Sequence, residues 1–130
     1  MMNRYSGVIS IGVDMANHFY EWCTDYNQED SHLLRPSWGP TDEQKRFFIT
    51  AYLKARKGRE PTEEEIKELM DISYKHKLLS DMHWMLWGLL QYEMSSIDWD
   101  YWGYTLCRWN NYKTMKKNVY GVDPLPILPL

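Results

Sequence analysis

The sequence predicts an all-α domain of about five helices with at most a short strand near the N-terminus. Three observations carry that expectation. Apolar residues recur at three- and four-residue spacing through most of the chain. Capping patterns, Thr41 with Gln44 and Thr62 with Glu65, open two of those stretches. Only Tyr5–Val13, β-branched and broken by glycines, reads as extended chain.

The elements follow in order. After Asp14 as a cap, Met15, Phe19 and Trp22 recur at helical spacing, which predicts a short helix from about Met15 to Cys23. Asn27–Pro40 is polar and broken by Pro36, Gly39 and Pro40, so it reads as a loop. The helix opened by Thr41 places Phe47, Phe48, Ala51, Tyr52 and Ala55 on one side and stops at Gly58. Thr62 opens the next helix, whose acids Glu63–Glu65 suit its positive end and whose stripe is Ile66, Leu69, Met70 and Ser73. The pattern runs on through Leu78, Leu79, Trp84, Trp87 and Gln91 to Met94. One helix of that length is unusual in a small domain, so a break is expected within Tyr74–Ser80. Asp98 or Asp100 caps a last helix holding Tyr101, Tyr104, Arg108 and Tyr112, which passes into Lys113–Lys117 and stops near Gly121. Residues 1–121 form one domain on this reading, and residues 122–130, with three prolines, form a loosely ordered tail.

Bulk properties exclude several functions. Apolar residues make up 44% and charged residues 25%, the balance of a soluble globular protein. The net charge of −3 is spread without a basic stripe, so no nucleic acid is expected as a partner. No apolar run approaches the roughly 18–20 residues of a membrane span, so no membrane partner is expected either. Cys23 and Cys107 lie far apart and form no CxxC, which suits two free thiols in a reducing, cytoplasmic setting.

Catalytic motifs do not appear in the chain. It has no phosphate-binding glycine loop, no His followed two positions on by Asp, and no HExxH or comparable cluster. His83 and Asp81, two apart on a helix, do not share a face. No catalytic or metal-ligating residue is therefore assigned, and the chain alone is expected to bind no cofactor.

What stands out is aromatic: seven Trp and ten Tyr. Trp84 and Trp87 are three apart and project from one helix face; Tyr101 and Tyr104 repeat the spacing on the next helix. Two such pairs joined by a short turn can face each other, with Tyr26 as a third wall and Glu21 as a carboxylate. That set suits a quaternary ammonium, because aromatic faces attract a cation by roughly 0.5–1 kcal/mol per exposed ring and about 2 when desolvated. The same spacing is also the ordinary filling of a helical core.

The stretch YSGVISIGVDMANHFYEWCTDY resembles the segment after the metal-binding motif of choline and ethanolamine kinases, where DFEYSG is followed by FDIGNHFxEW and a tyrosine. Tyr5, Ser6 and Gly7 match the end of the first motif; Asp14, Asn17, His18, Phe19, Glu21, Trp22 and Tyr26 match the second. Trp84 and Trp87, then Ser95, Ser96, Ile97, Asp98, Trp99, Tyr101 and Tyr104, match the family's WGLW-type pair and SSIEFGYxxY. The likeness runs from Tyr5 to about Lys117.

The resemblance implies the helical part of a protein-kinase-like C-terminal lobe, in a family that uses ATP and Mg²⁺ to phosphorylate choline or ethanolamine. It implies a substrate pocket walled by Trp84, Trp87, Tyr101, Tyr104 and Tyr26, with Glu21 near the ammonium and Tyr5 close by. The sequence departs from the family where the acidic metal ligand falls at Met2, its glutamate at Arg4, and the linker Asn and Arg at Ile9 and Ile11. The family's catalytic loop and ATP-binding lobe would precede Met1. The alternatives are a non-catalytic helical binding or regulatory module, or an inactive truncated product. Self-association, or a kinase partner, is expected through apolar faces on Val8–Val13 and Phe47–Tyr52.

Overall fold

A computed structural model of the chain describes residues 11–121. These form five α-helices: α1 (Ile11–Glu21), α2 (Asp42–Lys57), α3 (Glu63–Lys75), α4 (Lys77–Met94) and α5 (Tyr101–Tyr120). A 3-10 turn, Pro36–Trp38, interrupts the loop before α2, and no strand occurs among the described residues. The all-α expectation holds.

Local chemistry sets most boundaries. Thr41 Oγ1 accepts the Gln44 N–H at 3.2 Å, and Gln44 Oε1 accepts the Thr41 N–H at 2.9 Å, closing the capping box of α2. Thr62 and Glu65 repeat it on α3 at 3.2 and 3.3 Å. Helix α2 ends at Gly58 and α5 at Gly121, with φ of 69° and 68°, a left-handed conformation that only glycine adopts without strain. Asp100 Oδ1 accepts the Gly103 N–H at 2.8 Å and caps α5. The expected break falls at His76, which alone separates α3 from α4.

Four expectations need correction. Helix α1 runs Ile11–Glu21, so Asp14 lies inside it and does not cap it. Ile11–Val13 are helical and not extended; Gly12 and Val13 are buried, and packing overrides their weak helix propensity. Val13 therefore contributes no exposed apolar face. On α2 the buried face is Ile49 and Leu53, with Phe48 and Tyr52 packed against it, while Phe47, Ala51 and Ala55 are exposed. Residues Tyr5–Ser10 and the tail 122–130 lie outside the described residues.

Met15 and Phe19 of α1, Ile49 and Leu53 of α2, and Ile66 and Leu69 of α3 form the apolar core. Helices α4 and α5 pair along their length as a hairpin, and α1 packs against both α3 and α4. The hairpin is close because of Gly88: a Cβ there would stand 2.3 Å from Thr105 Oγ1 and 3.0 Å from Tyr104 Cδ1. Gly88 thereby brings the tryptophan pair of α4 against the tyrosine pair of α5.

Candidate functional site

Trp84 and Trp87 meet edge to face with ring centroids 5.5 Å apart. Trp87 also meets Tyr101 at 5.8 Å and Tyr104 at 5.7 Å, both near-perpendicular. The four rings expected on adjacent helices therefore converge. Tyr101 and Tyr104 are buried, whereas Trp84 and Trp87 keep part of their surface exposed.

Glu21 and Tyr26 form a pair beside this cluster. The Tyr26 hydroxyl donates to the Glu21 carboxylate, 3.2 and 3.1 Å from its two oxygens. Both lie close enough to Tyr104 to act on its ionisation. Burial pushes the Tyr104 phenol up to about 12, Arg108 pulls it down, and Tyr26 and Glu21 push it further up. Burial likewise raises the Tyr26 phenol above its usual value. Both phenols are thus neutral near pH 7, leaving Glu21 as the charge among the six residues. Tyr5 lies outside the described residues.

Several supporting residues were not singled out for the site. Trp99 packs on Tyr101 at 5.0 Å and on Tyr104 at 5.2 Å, and its Nε1 donates to Ser31 Oγ at 2.8 Å, which ties the 27–40 loop to the start of α5. Asn17 of α1 accepts the Trp84 Nε1–H at 3.2 Å and the Ser80 hydroxyl, so it fixes the indole. The sequence did hold a signal for both, since Asn17 and Trp99 fall inside the two matched motifs.

Beneath the rings lies a buried polar network that no local pattern announced. Arg108 Nη1 donates to Asp81 Oδ1 at 3.2 Å. The Tyr20 hydroxyl donates to Asp81 Oδ2 at 2.7 Å, and Asn111 Nδ2 donates to Asp81 Oδ2 at 2.9 Å and to Tyr20 Oη at 2.7 Å. The Arg108 guanidinium stands 4.7 Å from the Tyr20 ring centroid and 5.5 Å from that of Tyr104. Burial pushes the Asp81 carboxyl up, against the pull of Tyr20, Arg108 and Asn111. Burial works against the Arg108 charge, but Tyr104, Asp81 and Tyr20 outweigh it and hold that group above its usual value. The network joins α1, α4 and α5 under the aromatic cluster.

No three of the His, Cys, Asp and Glu side chains converge as a metal site among the described residues.

Comparison with known proteins agrees with the motifs. The family model for choline/ethanolamine kinase matches residues 4–113. "Probable choline kinase 3" of Arabidopsis thaliana is 34% identical over 121 residues, which is 93% of this chain and 35% of the relative. "Choline/ethanolamine kinase" of Homo sapiens is 36% identical over 127 residues, 92% of this chain and 32% of the relative. "Ethanolamine kinase 1" of Homo sapiens is 33% identical over 125 residues, 89% of this chain and 25% of the relative. The chain spans about a third or less of the length of these relatives.

Proposed function

The chain belongs to the choline/ethanolamine kinase family, and from that premise we propose that it carries the amino-alcohol pocket of such an enzyme. The pocket consists of Trp84, Trp87, Tyr101, Tyr104 and Tyr26, with Glu21 as counter-charge; the family motif adds Tyr5, which lies outside the described residues. The observation that carries this reading is the meeting of the α4 and α5 aromatic pairs beside the Glu21–Tyr26 pair. Rings supply attraction to an ammonium group without requiring a hydrogen-bond donor from it, which trimethylammonium lacks. Glu21 supplies the opposite charge.

In a complete enzyme of this kind, the ATP γ-phosphoryl group would pass to the hydroxyl of choline or ethanolamine, and Mg²⁺ would supply charge neutralisation of the phosphates. That is the first step toward phosphatidylcholine or phosphatidylethanolamine. The chain's own residues bind and orient the amino alcohol. A reducing, cytoplasmic setting suits Cys23 and Cys107, which stand as free thiols. No helix among the described residues is long and apolar enough to cross a membrane.

Titration of the chain with choline, followed by tryptophan fluorescence, tests the pocket. Choline should quench saturably, and Trp87→Ala should weaken binding by about thirtyfold, the loss of one desolvated cation–π contact. Equal affinity in Trp87→Ala and the parent chain would return the cluster to plain core packing. With ATP and Mg²⁺ added, no phosphocholine should form. Turnover abolished by substitutions in this chain would overturn the non-catalytic assignment.

A further inference from the structure

A second pocket shares no lining residue with the aromatic cluster, and its chemistry is opposite. It holds about 170 Å³, the room of roughly five or six waters in the liquid. Helix α1, the 34–40 loop, α2, α4 and α5 all contribute to it, and its walls include Phe19, Leu34, Pro36 and Met115. The charged residues on its lining are two lysines, Lys45 and Lys77.

Both lysines are held in place. Lys77 Nζ stands 5.3 Å from the Tyr20 ring centroid and 5.6 Å from that of Tyr74, and Lys45 Nζ stands 5.9 Å from that of Phe19. Among the described residues Lys77 has no carboxylate at ion-pair distance. Lys45 has only Asp42 at 3.9 Å, on a side chain 94% exposed, where solvent screens the attraction. Both lysines also border a wider groove of about 610 Å³ that carries Asp42, Glu63, Glu64 and Asp71, and their two like charges repel each other.

We propose that this pocket binds a small organic carboxylate, its charged end between Lys45 and Lys77 and its short apolar tail against Leu34, Pro36 and Met115. The donor inventory selects the ligand class. Asn111 is on the lining, but its amide already donates to Tyr20 and Asp81, and the Tyr20 hydroxyl is committed to Asp81. The two ammonium groups can satisfy the two oxygens of a carboxylate. The further oxygens of a phosphate would face apolar walls at a cost. The ionisation of Lys77 points the same way. Burial, and then the Lys45 charge, lower its ammonium below the usual lysine value, with Cys23 and Asp81 acting in the opposite sense. An anion between the lysines offsets both effects, so binding should raise the Lys77 titration midpoint.

The test is titration of the full chain with hexanoate, inorganic phosphate and hexylammonium, followed by NMR of the lysine side chains. Hexanoate should bind saturably, shift the Lys77 Cε resonance and raise its titration midpoint. Phosphate and hexylammonium should bind more weakly. Lys77→Met and Lys45→Met should each weaken hexanoate by about tenfold or more, the loss of one charge-assisted contact, and Lys77→Arg should retain it. Should Lys77→Met fail to fold, Lys45→Met on α2 decides. No saturable hexanoate binding, unchanged affinity in Lys45→Met, or a shift of the Lys77 Cε resonance by phosphate or hexylammonium at concentrations as low as for hexanoate would each overturn the proposal. Choline binding serves as the separate readout of the aromatic site and should not change in the lysine variants.

Discussion

At the scale of the residue, the decisive pair is Asp81 with Arg108. Both are almost fully buried, and a buried ion pair adds little net stability because both charges lose their water. Removing one partner is a different matter, since it leaves the other charged and uncompensated. Asp81→Asn should lower unfolding stability by roughly 3–5 kcal/mol in urea denaturation. The double variant Asp81→Leu/Arg108→Met should be more stable than Asp81→Asn, because no lone charge remains. If the double variant is the less stable of the two, the network contributes more than charge neutralisation. Asp81 also bears on the site above it. Arg108 lies 5.5 Å from the Tyr104 ring, so without Asp81 its charge would oppose a bound ammonium. Asp81→Asn should therefore weaken choline as well as the fold. None of this was legible in the sequence. Asp81 was correctly separated from His83, which is exposed. Its actual partner sits 27 positions away on another helix, and only the packing of α4 on α5 brings the two together.

At the scale of the element, what could be read was what is local. The Thr41–Gln44 and Thr62–Glu65 boxes, the Gly58 and Gly121 stops and the Asp100 cap all act within a few residues, and all hold. The buried side of α2 was missed, because its apolar residues cover more than one face and partners in α1 and α3 choose between them. The paired aromatics were legible as spacing, but their convergence depends on Gly88. Gly88→Ala should cost about 1–3 kcal/mol by overpacking the hairpin. Adding Thr105→Ala removes the atom 2.3 Å from the new Cβ and should recover part of that loss. Thermal melts check both: a Gly88→Ala variant that melts with the parent chain, or no recovery on adding Thr105→Ala, would count against close packing of α4 on α5 at this point. Glu65 sets a pH dependence for α3. Its carboxylate accepts from Lys57 at 2.9 Å and Arg59 at 3.0 Å, besides closing the cap on Thr62. These contacts, Lys57 first, hold its pKa at about 2, against 4.5 ordinarily. A lowered folded-state pKa means stability present above about 4.5 and lost as pH falls toward 2. Glu65→Gln keeps the cap acceptor but removes the charge. Urea midpoints measured across that window should fall less steeply in Glu65→Gln than in the parent chain; parallel curves would place the acid sensitivity elsewhere.

At the scale of the whole molecule, the described residues bury one apolar core among α1, α2 and α3, while α4 and α5 close largely on each other. That division leaves apolar surface uncovered. Leu79, Leu86 and Leu90 recur at seven and four residues along α4, on one face, each more than half exposed, and Met94 extends the stripe. Covering a large apolar side chain is worth roughly 1.5–3 kcal/mol, against a total of about 5–15 kcal/mol for an ordinary domain. We propose that this stripe, with the exposed Phe47, is a surface for self-association or for a kinase partner; the buried Val13 is not part of it. The chain should therefore bind the dye ANS, and its mass by light scattering should rise with concentration. Leu79→Glu/Leu86→Lys/Leu90→Glu changes only exposed positions. It should lower both signals without lowering the melting temperature by more than a few degrees, because little burial is lost within the chain. A parent chain that stays monomeric at every concentration and binds no dye would mean that these leucines are stable in water. Loss of the cooperative melt in the triple variant would mean that they are packed within the chain, and the face would then be part of its core.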